Sequence, residues 1–310
     1  MGKVFAITVS PPVRELFGEP GKTISGVIKL YNETNNDLKV YTLTKDFTAK
    51  DGEGGEPSFF PTEQQEEMKD LASWIKLPPG LIEVKTLDWQ NVVFSIDIPE
   101  NAEPGGHYAA VFVTPSEEQV GGPGAVGVNY QTGSLVMLTV AGQVSEGGNI
   151  EEFRTKNGKT FYDALPIPFE LRIENTGNLH FKPEGFLEIR NMLGQKEMDK
   201  QLLETNSGRN VLTHSIRRFD LLWGDSDEKN WPKGFFDKMK FEWNNFHLGR
   251  YSAIVNIALP LGKTEIKTVA LWIIPWQLLI VIIILLVAIW YLFRTYNRWI
   301  IKKAKEEKEK

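Results

Sequence analysis

The sequence predicts an all-β protein: two tandem immunoglobulin-like β-sandwich domains followed by one C-terminal transmembrane α-helix. Three observations carry this. Short apolar or alternating runs recur through roughly the first 270 residues, separated by clusters of Pro, Gly and Asn. An uncharged run, Leu278 to Phe293 (LLIVIIILLVAIWYLF), follows them. Basic residues then crowd the C-terminal end. At 310 residues the chain has room for about two domains and an anchor.

Residues 1–145 read as the first sandwich. Candidate strands are Phe5 to Val9, Thr23 to Tyr31, Leu38 to Phe47, Trp89 to Ile98, His107 to Thr114 and Gly124 to Ala141. Pro11-Pro12, Glu19-Pro20-Gly21, Asn35-Asn36-Asp37 and Pro104-Gly105-Gly106 supply the turns. Seven or more strands in about 140 residues fit an immunoglobulin-like fold. A helical insertion is expected near 62–73. Thr62 and Gln65 have the capping-box spacing, and Met68, Leu71, Ala72 and Ile75 recur at helical intervals.

Ser145 to Asn149 (SEGGN) reads as a flexible linker, and 146–271 as a second, membrane-proximal sandwich. Its expected strands are Phe169 to Glu174, Phe186 to Asn191, Asn210 to Trp223, Lys238 to Trp243, Tyr251 to Leu259 and Thr264 to Ile274. Asn175-Thr176-Gly177-Asn178 follows a strand just as Asn32-Glu33-Thr34-Asn35-Asn36 does, a hint that the two domains are diverged copies.

The transmembrane helix is placed at 272–293. About 22 residues at 1.5 Å each span the roughly 30 Å hydrocarbon core. Trp272 and Trp276 mark one interface, and Trp290, Tyr291, Tyr296 and Trp299 the other. From Arg294 onward there are seven Lys or Arg and three Glu, which leaves 28 basic and 37 acidic residues before it. The outer flank has only Lys263 and Lys267 against Glu265. Residues 294–310 are therefore expected as a basic cytoplasmic tail, with the body outside the cell. Such a body needs an export signal, and no apolar h-region precedes it. Val4-Phe5-Ala6 resembles the end of a cleavage site, so the expectation is a late or truncated start with mature protein beginning near Ile7. The rival is a tail-anchored cytosolic protein.

The mildly acidic body argues against nucleic-acid binding. The chain has no Cys, which excludes disulfides, zinc thiolates and thiol catalysis and fits a bacterial envelope protein.

Three further segments carry a resemblance: PGKTISGVIKLYNETNNDLKVYT; WIKLPPG followed by a strand and IPENAEPGGHYAAVFV; and GAVGVNYQTGSLVMLTV. The first resembles the opening hairpin of envelope immunoglobulin-like domains, and the others are similar to the N-terminal domain of the bacterial WxL-interacting proteins, a match over roughly Ile7 to Val140. The layout of two β domains, one helix and a basic tail is similar over the whole chain. The resemblance implies that the first domain binds peptidoglycan and the second binds host or partner proteins. The second domain shows no motif that matches.

Among candidate site residues, Pro104-Gly105-Gly106-His107-Tyr108 reads as a tight turn into a core strand, with Tyr108 making a corner hydrogen bond. The alternative is a ligand contact through His107 and Tyr108. Trp231, Phe235 and Phe236 form a candidate patch for a partner or the bilayer, or else pack a sandwich edge. His107, His180, His214 and His247 lie far apart and make no metal motif. Asp225-Ser226-Asp227-Glu228 lacks the rest of a calcium loop. Ser73-Trp74-Ile75-Lys76 matches S-x-x-K without the partner motifs of penicillin-binding enzymes. No phosphate loop or dinucleotide fingerprint is present.

The resulting expectation is a non-catalytic cell-surface protein with no cofactor. Its partners are the lipid bilayer and either a cell-wall polymer or another surface protein. The alternative is a structural subunit of a larger envelope complex.

Overall fold

The computed structural model describes residues 6–49, 55–60, 70–115, 131–201, 210–224 and 234–308. The first part contains β1 (Ile7–Ser10), β2 (Val13–Gly18), β3 (Thr23–Asn32), β4 (Leu38–Ala49), β5 (Pro57–Phe59), α1 (Leu71–Trp74), β6 (Ile75–Lys76), β7 (Ile82–Val84), β8 (Trp89–Asp97), β9 (Gly105–Pro115) and β10 (Thr132–Val140). The second contains β11 (Gly148–Thr155), β12 (Phe161–Tyr162), β13 (Ile167–Asn175), β14 (Glu184–Asn191), β15 (Lys196–Gln201), β16 (Ile216–Trp223), α2 (Phe235–Asn244), β17 (Gly249–Ala258), β18 (Thr264–Ile273) and α3 (Trp276–Lys308).

Among the described residues the strands form four sheets. Sheet β1-β3-β8-β6 faces sheet β2-β10-β9-β4-β5, in which β7 also pairs with β4. Alternation drives this packing: Ile28 and Leu30 of β3 and Val92, Phe94 and Ile96 of β8 turn inward onto Val111, Val113, Val136 and Leu138. Each fully buried aliphatic or aromatic side chain of this kind contributes about 1.5–3 kcal/mol. Gly26 lies under Phe94, where a Cβ would collide with the ring.

The second sandwich pairs sheet β11-β13-β16 with sheet β12-β18-β17-β14-β15. Ile167, Phe169, Leu171 and Ile173 of β13 pack on Leu187, Ile189, Val255, Ile257, Leu271 and Ile273.

Several expectations need correcting. Lys238 to Trp243 is not a strand but part of α2. Met-Lys-Phe-Glu-Trp alternates like a strand, yet the segment holds no β-branched residue, and its Glu242 is turned inward. Asn210 to Trp223 is interrupted by a turn at Thr213 and His214, with His214 at φ 50°. Val211 bridges Phe181, and only Ile216–Trp223 is a continuous strand. The 272–293 helix begins at Trp276 instead, because the strand ladder runs on through the Ile274 N–H to Tyr162 O and the residue before Pro275 is disfavoured in helical conformation. Helix then continues through the basic tail to Lys308. Of the helical insertion, only Leu71–Trp74 is described; Thr62 to Met68 lie outside the described residues.

The Ser145–Asn149 linker is held on both sides. Asn178 donates its backbone N–H to Ser145 O (2.9 Å) and accepts the Ser145 N–H at Oδ1 (2.7 Å). β11 already starts at Gly148.

The paired Asn turns are alike in structure. Asn32 and Asn175 each end a strand of the smaller sheet of their sandwich with the side chain buried. Asn32 Nδ2 donates to Asn36 O (2.8 Å) and Val84 O (3.1 Å), while Oδ1 accepts from the Thr34 N–H. Asn175 Nδ2 donates to Leu179 O (2.9 Å) and Val211 O (3.0 Å), while Oδ1 accepts from the Gly177 N–H. The same side chain closes the same kind of turn in both halves.

Candidate functional site

β3 and β8 pair antiparallel, with Tyr31 opposite Trp89, Lys29 opposite Asn91 and Val27 opposite Val93. These positions share the parity opposite to the core residues, so they make the outer face of the sheet. Tyr31 and Trp89 stack with ring centroids 5.0 Å apart and planes tilted by 37°. Trp89 is 51% exposed and Val93 55%. Thr8 of β1 lies beside Tyr31, and Lys29 and Asn91 give a polar row next to the aromatic one. An exposed Trp89 stacked on a half-buried Tyr31, bordered by an ammonium and an amide, matches a ligand with one apolar face and hydrogen-bonding edges. Sequence reasoning placed Trp89 at the start of a strand and no more. The available signal was an aromatic residue on each of two strands at what proves to be the outward parity.

The face stands far from the domain junction. Tyr31 and Trp89 sit at one end of the β3–β8 ladder, and Thr23 and Asp97 at the other. At about 3.3 Å per residue the nine-residue β8 is roughly 26 Å long. Its Asp97 end leads to Pro104, whose carbonyl accepts a hydrogen bond from Asn178 Nδ2 of the second sandwich (2.9 Å).

His107 and Tyr108 lie at that junction. His107 Nδ1 is 2.6 Å from Asp70 Oδ1, and its Nε2 is 2.8 Å from Glu103 O. Burial lowers its pKa, but Asp70 and the Glu103 carbonyl outweigh that, and the net shift is upward. Both ring nitrogens are thus engaged within the fold, so the expected ligand contact through His107 finds no free atom. Tyr108 is buried, 5.6 Å from the His180 ring across the junction, and its hydroxyl lies near Thr213 and the His180 backbone without a well-formed hydrogen bond. Gly105 (φ 126°) fits the close approach of Asn178, and the Gly106 N–H donates to Asn178 O (2.8 Å). Lys182 pairs with Glu15 at 2.7 Å, and Asn210 Nδ2 also donates to Glu15 (3.1 Å). Hydrogen bonding to Lys182 is the largest influence on the Glu15 carboxyl and lowers its pKa. The segment is a weld between sandwiches.

Trp231 lies outside the described residues. Phe235 and Phe236 open α2, which packs beside the start of α3. Phe235 touches the Trp276 ring at 6.3 Å, and Phe236 is 74% exposed. Trp276, Trp290, Tyr291 and Trp299 all project from α3, whose Trp276–Ile301 stretch is long and apolar enough to cross a membrane. Among the described residues no group of three metal-ligating side chains comes together.

No protein-family model matches the chain, and no curated protein does. Solved structures give low-level likenesses. The chaperone CfaA of class 5 fimbriae is 11% identical with a TM-score of 0.39, covering 85% of this chain and 98% of its own. The CsuC–CsuE chaperone–tip adhesion subunit complex of archaic Csu pili from Acinetobacter baumannii is 10% identical at 0.37, covering 85% and 97%. The Pseudomonas aeruginosa CupB2 chaperone is 7% identical at 0.36, covering 84% and 98%. Likeness at this level assigns no function, and the similarity to WxL-interacting proteins rests on the residues quoted for it above.

Proposed function

We propose that the chain is a non-catalytic, membrane-anchored surface protein whose first sandwich binds the glycan of a cell-wall polymer such as peptidoglycan. The observation that carries this is the outward Tyr31–Trp89 pair, with Trp89 exposed and Tyr31 half-buried, at the end of the first sandwich away from the junction. A pyranose ring has one face of C–H groups that stacks on an aromatic ring, and a rim of hydroxyls that Lys29 and Asn91 are placed to meet. A rigid body fixed to one helix would present this face to the wall.

The test uses the full chain in detergent micelles, sedimented with purified peptidoglycan. Co-sedimentation is expected, and Trp89→Ala and Tyr31→Ala should each weaken it about tenfold, a loss of about 1.4 kcal/mol. Trp89 is exposed on the outer face, so its variant should keep the melting temperature, while the half-buried Tyr31 should lose a little. No sedimentation, together with a fixed partner protein co-purifying in mild detergent, would replace this reading with the envelope-complex subunit. Undiminished binding by both variants would remove the aromatic face from it.

A further inference from the structure

A cavity of about 330 Å³ lies between α2 and the 156–168 loop, beside the root of α3. Its depth relative to the membrane follows from the backbone. Tyr162 and Ile273 are register partners on parallel β12 and β18, and the Ile274 N–H donates to Tyr162 O (2.8 Å). Only Ile274 and Pro275 separate that strand from α3. Glu242 of α2 lines the cavity, and its Oε2 accepts the Leu278 N–H (2.7 Å) in the first turn of α3. A cavity fastened to the first turn of a membrane-spanning helix stands at the level of lipid headgroups.

Its chemistry is mixed. Lys156, Lys159 and Lys238, all exposed, line it together with Asp163 and Glu242. Glu242 is 2% exposed, and its Oε1 has no hydrogen-bond partner. An orphaned buried acceptor of this kind is unfavourable unless a donor arrives. On the opposite side of α2, Phe236 (74% exposed) and Trp243 (67%) stand seven residues apart, two turns along one helix face. Aromatic side chains so placed seat a helix in the interfacial zone.

We infer that this cavity holds the headgroup of one outer-leaflet phospholipid bearing both a phosphate and a primary amine, of the phosphatidylethanolamine class. The phosphate meets the three lysines, and the ammonium donates to Glu242 Oε1 with Asp163 alongside. A choline headgroup carries no N–H and cannot satisfy that oxygen. A glycerol headgroup offers no positive charge to the carboxylates. The inference rests on the membrane placement of α3 and is independent of glycan binding.

Native mass spectrometry of the full chain released from micelles tests it, with phosphatidylethanolamine, phosphatidylcholine and phosphatidylglycerol added in turn. One ethanolamine lipid should bind per chain, about tenfold better than the choline lipid. Replacing the three exposed lysines together (Lys156→Gln, Lys159→Gln, Lys238→Gln) should lower that binding about tenfold with an unchanged melting temperature. Glu242→Gln should retain lipid but lose the preference over choline. Equal ethanolamine and choline binding, tighter glycerol binding, or full retention by the lysine variant would each overturn the inference. Soluble phosphoethanolamine binding as tightly as the lipid would also overturn it, by making the source a free metabolite.

Discussion

Asp46 sits in β4 with 3% of its surface exposed, its Oδ1 accepting the Ala72 N–H (2.7 Å) at the start of α1. Burial drives its pKa from the ordinary 3.8 up to about 6; the Ala72 bond and His107 pull it down, and the Asp70 charge pushes it up. With the folded pKa above the unfolded one, the folded state holds this proton more tightly. Stability therefore falls as pH rises from about 4 to about 6, and the full cost, on the order of 3 kcal/mol, is present above that window. Asp46→Asn keeps an acceptor for Ala72 and removes the charge. Its melting temperature should exceed that of the parent chain at pH 7.5, with the gap closing near pH 4. A deficit at pH 7.5 would mean that the charge of Asp46 is needed by His107. At the same scale, His107 and Tyr108 show why a distinctive motif need not be a ligand site: both nitrogens of His107 are taken by Asp70 and Glu103, and the Tyr108 ring is buried against His180.

The Asn-closed turns show what an element owes to one side chain. Asn32 ties the end of β3 to β7 through Val84 O, and Asn175 ties the end of β13 to Val211 O. Removing either amide takes two hydrogen bonds from its turn, although Val211 O keeps the Phe181 N–H and Asn36 O keeps the Thr34 hydroxyl, so Asn32→Ala and Asn175→Ala should each lower stability by about 1–2 kcal/mol in urea unfolding. The Asp replacements set a carboxylate oxygen against two carbonyl oxygens in a buried site, so at neutral pH they should cost more than Ala, with the excess shrinking as the pH falls toward about 4. No loss in either Ala variant would show that water replaces the amide. These turns were legible in the sequence as a similar pair, since Asn after a strand is a local signal. β3, β8, β13, β17 and the apolar stretch of α3 were legible for a similar reason: their periodicity is their own. α2 was not, because its alternating Met-Lys-Phe-Glu-Trp imitates a strand, and only packing beside α3 gives Glu242 an N–H to cap. The Tyr31–Trp89 face was hidden because parity does not say which side of a sheet is wet. The Asn178 weld joins residues from distant parts of the chain, which spacing alone cannot reveal.

For the whole molecule, the consequence is a continuous chain of contacts from the first sandwich to the root of α3. Asn178 fixes the linker and Pro104 to the second sandwich, Lys182 and Asn210 hold Glu15, and β18 passes into α3 through two residues. The Trp276–Ile301 stretch of α3 has 26 residues, about 39 Å of helix, enough to cross a bilayer with some tilt. Everything proposed for the glycan face and the headgroup cavity requires the sandwiches to stand outside and the lysine-rich end inside. The chain has no Cys, so single cysteines report side directly. Ser25→Cys, on the exposed face of β3, and Lys305→Cys, beyond the apolar stretch, can be treated in intact cells with a membrane-impermeant maleimide. The account predicts labelling at 25 without permeabilisation and at 305 only after it; labelling at 305 in intact cells with 25 protected would contradict it.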